Sequence, residues 1–130
     1  MLGPGRLPAA LVLVALAGCT NEIADRAYTD FVVSVGGEAF VVRTQDPETI
    51  RLGLEVLNGR AQRFPAGPLL AGDGGFNAPW SWHIDPARLR FAEVAVEVCD
   101  GRPSYVEVHV DEYRRVGYCP WGGRVTGVRP

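Results

Sequence analysis

The chain of 130 residues contains no lysine, only two histidines and one methionine, and only three cysteines. Its 13 basic residues, all arginines, stand against 15 acidic residues, which gives a formal charge of −2 at neutral pH. Because there is no basic excess to attract a polyanion, we expect no nucleic-acid partner. The sequence also contains no cofactor-binding motif, so we expect no cofactor.

The chain also lacks an apolar run of the about 20 residues that a membrane-spanning helix needs. Residues 8–17 are uncharged and mostly apolar, and they follow Arg6 near the N-terminus. A short apolar run behind a positive charge is typical of a secretory signal peptide. We therefore predict that the protein is exported.

The end of this apolar run resembles a bacterial lipobox, Leu16-Ala17-Gly18-Cys19. The resemblance implies that residues 1–18 are a lipoprotein signal peptide and that Cys19 carries a diacylglycerol group, whose two chains suffice for stable anchoring. Residues 19–27 then form a tether from the membrane at the bacterial cell envelope, on its periplasmic or outer surface. The alternative is an ordinary signal peptide with a coincidental cysteine.

Cys99 and Cys119 remain once Cys19 is assigned to lipid. An even pair in an exported, oxidising setting predicts a disulfide bond. The alternative is a metal site that adds His83 and His109 to the two cysteines. We favour the disulfide because these four residues lack the close spacing of common zinc sites.

The domain begins with a predicted β-hairpin, in which strands 28–35 and 38–44 flank Gly36-Gly37, a strong two-residue turn signal. A helix follows, with Asp46 as its N-cap and Pro47 at its first position. Its apolar stripe is predicted from spacings of four and three residues, at Ile50, Leu54 and Leu57. We expect this stripe to face the sheet.

The second half of the chain is less regular. Alternating residues predict a strand over 89–99, with Val94, Val96 and Val98 on one face. Segment 104–115 fits a helix with a Ser104–Glu107 capping box, which we favour over a strand. A last strand is predicted over 124–128. The fold class is therefore α+β: one globular domain over 28–130, with a small antiparallel sheet, one or two helices packed on one face, and one disulfide.

Several segments together resemble the BP-seventy-four N-terminal-domain family of small exported bacterial proteins. They are Phe40–Ile50, Asn77–Pro86, Phe91–Asp100, Tyr105–Glu112 and Cys119–Trp121. The resemblance implies one exported α+β domain and supports the pairing of Cys99 with Cys119. It supplies no catalytic residue. The Gly- and Pro-rich stretch 65–76 departs from the family pattern.

Segment 79–86, Pro-Trp-Ser-Trp-His-Ile-Asp-Pro, raises the question of a catalytic site. As a strand it would put Trp80, Trp82 and Ile84 towards the core, and Ser81, His83 and Asp85 on the other face. Side chains two residues apart on a strand stand parallel at about 6.6 Å, too far for the hydrogen bonds of a triad. We therefore predict no catalytic triad, and we expect Asp85 to cap backbone N–H groups of a turn.

Two weaker site hypotheses remain. His83, Asp85, Asp100 and His109 are candidate ligand-binding residues if they meet in a polar patch. Trp121 is either an exposed anchor at an interface or, as we favour, a side chain packed against the disulfide.

The leading functional hypothesis is a lipid-anchored, non-enzymatic binding module for a protein partner, of inhibitor or envelope-assembly type. One alternative is a small hydrolase that uses His83 with Asp85 or Asp100. The other is a structural envelope lipoprotein.

Overall fold

The computed structural model of the chain describes residues 3–5, 9–10, 12–14 and 27–130. Cys19, nearly all of the predicted tether and much of the predicted signal peptide lie outside the described residues. Within the described ranges, no helix is long and apolar enough to cross a membrane.

The domain combines seven strands with three α-helices and a 3-10 turn in the described part of the chain. In chain order they are β1 Thr29–Val35, β2 Glu38–Thr44, α1 Pro47–Leu57, β3 Phe64–Ala66, β4 Leu69–Ala71, β5 Trp82–Ile84, β6 Arg90–Ala92, the 3-10 turn Glu97–Cys99, α2 Pro103–Val108, α3 Val110–Val116 and β7 Arg124–Arg129. The α+β class is confirmed. The strands form three small antiparallel sheets instead of one, ordered β2-β1-β7, β3-β6 and β4-β5.

The predicted N-terminal hairpin is confirmed. Gly36 and Gly37 adopt φ values of 57° and 82°, which only glycine accepts without strain. The predicted last strand is also confirmed as β7, which pairs with the other edge of β1. The hairpin and β7 thus build the largest sheet, with β1 in the centre and β2 and β7 as its two edges.

Helix α1 begins as predicted, with the Asp46 carboxylate accepting the Thr49 N–H at 2.8 Å. The predicted apolar stripe is confirmed at Leu57 and wrong at Leu54. Leu54 is 40% exposed, whereas Gly53 is buried and Leu57 packs on the core. The cause is the contact of Gly53 with the ring of Phe31 on β1: a Cβ atom on Gly53 would lie 2.5 Å from Cζ of Phe31.

The predicted strand over 89–99 is wrong beyond Ala92. Strand β6 spans only three residues because its partner β3 begins at Phe64, which pairs with Ala92. Val94, Val96 and Val98 are exposed by 84%, 66% and 66%. Val94 and Val96 lie on a segment that pairs with no described strand, whereas Val98 lies in the 3-10 turn Glu97–Cys99.

The predicted helix over 104–115 is confirmed, but it breaks into α2 and α3 at His109, whose φ and ψ are −129° and 31°. The predicted capping box is wrong. Glu38 of β2 accepts hydrogen bonds from both the N–H and the hydroxyl of Ser104, each at 2.7 Å. Glu107 instead accepts the Ser81 N–H at 3.0 Å. The start of α2 is thus held by the hairpin.

The core has two parts. The main cluster combines the inward faces of the sheets with side chains from the helices, and the large rings of Trp82, Tyr118 and Phe40 are buried in it. Their rings contact one another with centroids 5.3–5.5 Å apart. A smaller cluster surrounds the cysteines.

Candidate functional site

The predicted strand over 79–86 is confirmed only for Trp82, His83 and Ile84. Trp82 and Ile84 are buried in the core as expected. Trp80 lies before the strand, where its ring stacks on Trp82 with centroids 6.1 Å apart. Its indole N–H donates to the Ala39 carbonyl at 2.9 Å, so this tryptophan holds the segment against β2.

Asn77 is the residue of this region whose importance the sequence did not indicate. Its side chain is fully buried; Oδ1 accepts the Val41 N–H at 2.8 Å, and Nδ2 donates to the Trp82 carbonyl at 2.7 Å. Val41 lies on β2, one edge of the largest sheet, and Trp82 begins β5. The side-chain amide of Asn77 thus makes the two hydrogen bonds that a backbone peptide group would make, and it joins β2 to β5, which belong to different sheets.

His83 is buried beneath the turn that precedes it. Its Nδ1 lies 2.7 Å from the Gly72 carbonyl oxygen, and the ring meets Phe76 edge to face at 5.4 Å. A carbonyl oxygen can only accept, so Nδ1 carries the proton. No hydroxyl group contacts His83 among the described residues, and the hydrolase hypothesis stays a prediction.

Asp85 ends the strand as expected. Its carboxylate accepts the Ala87 N–H at 3.0 Å and the Arg88 Nε–H at 2.9 Å. The hydrogen bond from Arg88 is the main cause that lowers the pKa of the Asp85 carboxyl, and burial acts in the opposite direction. The hydrogen bond from Ala87 and the electrostatic interactions with Arg88 and His83 lower this pKa further.

Asp100 and His109 have separate surroundings. Asp100 accepts the Trp121 backbone N–H at 2.9 Å. His109 lies with its Nδ1 at 2.8 Å from the Tyr105 carbonyl oxygen and stacks on the Tyr105 ring at 4.0 Å. Of the four candidate residues, the described contacts bring only His83 and Asp85 near each other. No group of three metal-ligating side chains is present in the described part of the chain.

The disulfide between Cys99 and Cys119 is confirmed, with the two Cα atoms 5.1 Å apart. This bond excludes the alternative metal site, since neither sulfur remains as a thiolate. The cysteines pack with Phe64 and Ala66 in the smaller core cluster. The expectation that Trp121 packs there is wrong: Trp121 is 47% exposed and lies outside the described members of that cluster.

Trp121 instead lines an open surface groove with a volume of about 830 Å³. We call it the valine groove. One wall is residues 61–64, which lead into β3, and the other is residues 93–95, which leave β6; residues 121–125 form a third side. The groove lies where the β3-β6 ladder ends, because the two chain segments stop pairing after Phe64 and Ala92.

The charges in the valine groove come from three side chains. Arg63 and Glu93 form an ion pair at 3.0 Å across the groove, and Arg124 forms no ion pair with any described residue. The lining therefore carries a net positive charge of one. Its described lining residues include no histidine, cysteine, serine, threonine or aspartate, so they offer no nucleophile with an adjacent base.

Comparison with known proteins gives one match. No curated protein and no solved structure matches the chain. The family model of the BP-seventy-four N-terminal domain matches residues 25–130, as the motifs quoted above led us to expect. This domain is not a known enzyme family. Because the match covers nearly the whole described domain, the chain belongs to the BP-seventy-four N-terminal domain family.

Proposed function

We propose that the chain is an exported, lipid-anchored and non-enzymatic binding module, and that its valine groove binds an extended segment of a partner protein. The observation that carries the proposal is the exposure of Val94 and Val96 on the segment that follows β6 and pairs with no described strand. The segment continues β6 directly, so a partner strand could extend an existing ladder.

The backbone of this segment supports strand addition. Among the described residues, no hydrogen bond satisfies the backbone N–H groups of Val94, Ala95 or Val96. Unpaired groups along an edge are a template for another strand, and main-chain hydrogen bonds of that kind supply affinity in peptide recognition. The groove beside Val94 gives room for the added chain.

The side chains around the groove define the chemistry of the partner. Trp121 presents nearly half of its surface beside Val94, and exposed tryptophans are common energetic anchors of interfaces. Arg124 lacks an ion-pair partner in the described chain and would receive a carboxylate. The expected ligand is therefore an extended segment in which apolar side chains alternate with at least one acidic residue.

Binding is favoured over catalysis by what the groove contains. Its one carboxylate, Glu93, is held by Arg63. The two histidines lie elsewhere, with their Nδ1 atoms at backbone carbonyls. A site built from valines, a tryptophan and arginines can hold a peptide but has no group that could attack it.

The groove is tested with two variants, Val94→Asp and Trp121→Ala, and with Val108→Asp as a matched control. Val108 is 74% exposed on α2, so its substitution adds the same charge at a similar exposure away from the groove. Each form, tagged and purified, is used to capture proteins from an envelope extract.

We expect wild type and Val108→Asp to retain the same partner and both groove variants to lose it. Equal capture by all four forms would refute the groove, and no capture by any form would refute a stable protein partner. Unchanged thermal unfolding of the variants is expected, because the substituted side chains are exposed.

The lipid anchor is proposed from the sequence alone. We expect Cys19→Ala to release the protein from the membrane fraction of the producing bacterium and to remove the mass of the acyl chains from the mature protein. A mature protein that lacks acyl chains in the wild type would contradict the anchor and leave the groove proposal intact.

A further inference from the structure

A second groove, which shares no lining residue with the valine groove, collects four arginines. It has a volume of about 500 Å³ and lies between β4, β6 and the end of α3. We call it the arginine groove. In the described part of the chain, its charged lining consists of Arg88, Arg90, Arg114 and Arg115, with no aspartate or glutamate.

Three of the four arginines of this groove form no ion pair with a described residue. Arg88 pairs with Asp85 through its Nε atom. Within the described chain, Arg90, Arg114 and Arg115 form no ion pair, although the protein as a whole is acidic. Four positive charges around one groove raise its affinity for an anion, because like charges in one cleft add to the same local potential.

Helix α3 accounts for only part of the cluster. Arg114 and Arg115 lie in its last turn, where the negative end of the helix dipole favours cations. Arg88 and Arg90 come from a different part of the chain, at the approach to β6, and that dipole does not explain their presence in the same groove. Two separate segments supply like charges to one concave surface, which is the arrangement expected of an anion site.

We infer that the arginine groove binds a phosphate group. Each guanidinium offers several N–H donors in a planar fork that fits phosphate oxygens, and a doubly charged anion matches several cations better than one carboxylate does. Leu70 and Val116, exposed by 36% and 45%, also line this groove, so the phosphate can be carried by a molecule with an apolar part.

A free phosphate compound and a lipid headgroup could each present such a phosphate, and the experiment distinguishes between them. The full chain carrying Cys19→Ala, which has no acyl group of its own, is titrated with pyrophosphate, with acetate as the singly charged control. The same chain is then sedimented with phosphatidylcholine vesicles that contain or lack phosphatidylglycerol. Both measurements are repeated with Arg114→Gln/Arg115→Gln and with Arg60→Gln/Arg102→Gln, a pair of exposed arginines outside the groove.

We expect the Arg114/Arg115 variant to bind about tenfold more weakly or worse, because it loses charge-assisted hydrogen bonds to the phosphate. The Arg60/Arg102 variant, with the same change in charge, should bind as the parent does. Saturable binding of pyrophosphate supports a free phosphate compound, and binding to phosphatidylglycerol vesicles alone supports a lipid headgroup. No binding in either arm, or equal weakening in both variants, would overturn the site.

Discussion

Replacement of Asn77 by alanine is the most stringent test of the fold that surrounds the segment 79–86. The change removes the hydrogen bond from Val41 N–H at 2.8 Å and the one to the Trp82 carbonyl at 2.7 Å. Asn77 is fully buried, so water cannot replace the lost amide without opening the structure. Two buried backbone groups would be left without partners.

The magnitude follows from those two groups. An unsatisfied buried donor or acceptor costs about 1–3 kcal/mol, so Asn77→Ala should lower the free energy of unfolding by about 2–6 kcal/mol. Small domains have a total stability of about 5–15 kcal/mol, so the variant would lose a large part of it. Asn77→Asp should be destabilised as well, because it places an acceptor against the Trp82 carbonyl.

Urea denaturation followed by tryptophan fluorescence measures this effect. Asn58→Ala is the matched control, since Asn58 is exposed and ends α1 through its backbone N–H. Its expected change is within about 0.5 kcal/mol. If Asn77→Ala were as stable as Asn58→Ala, the amide would not join β2 to β5, and the reasoning would be refuted.

Two further predictions concern the helix packing and the acid response. Gly53→Ala should destabilise the domain, because overpacking against Phe31 costs about 1–3 kcal/mol and outweighs the gain in helix propensity of about 1 kcal/mol. Gly127→Ala is the control, since the space around Gly127 is open. A Gly53→Ala variant more stable than wild type would contradict this packing. The hydrogen bond from Arg88 lowers the pKa of the Asp85 carboxyl in the folded state. The Asp85–Arg88 pair therefore stabilises the fold fully above the ordinary aspartate pKa of about 3.9, and this stabilisation is lost as the pH falls through the lower pKa of the folded state. Arg88→Gln should therefore cost up to about 1 kcal/mol at neutral pH and almost nothing in strong acid, and an equal deficit at both pH values in urea denaturation would contradict this pair.

Features that depend on neighbouring residues were predictable from the sequence. The hairpin follows from Gly36-Gly37, whose φ values suit a tight turn, and the start of α1 follows from the side chain of Asp46. The disulfide follows from the number of cysteines and the predicted export. In each case the deciding interaction lies within a few residues or depends on composition alone.

Features that depend on distant residues were not predictable. Alternation over 89–99 cannot reveal that β3 is too short to pair beyond Ala92. The cap of α2 comes from Glu38, 66 residues before Ser104. Helical spacing likewise cannot reveal that Gly53 of α1 lies against the ring of Phe31, which is 22 residues earlier in the chain.

The surroundings of the candidate site residues also depend on distant parts of the chain. The sequence placed His83, Asp85, Asp100 and His109 together as polar residues of one kind, but the described contacts give Asp100 and His109 partners of their own. The valine groove exists because a predicted strand does not form. The alternating valines, which stay exposed on or beside a segment that pairs with no described strand, were thus more informative about function than the polar residues were.

Amide hydrogen exchange across residues 93–98 tests the central proposal most directly, in the free protein and in its complex with the captured partner. The N–H groups of Val94, Ala95 and Val96 should exchange rapidly in the free protein, since they have no hydrogen-bond partner in the described chain, and should become protected on binding. Protection elsewhere on the domain, with these three amides still exchanging rapidly, would contradict strand addition at the valine groove.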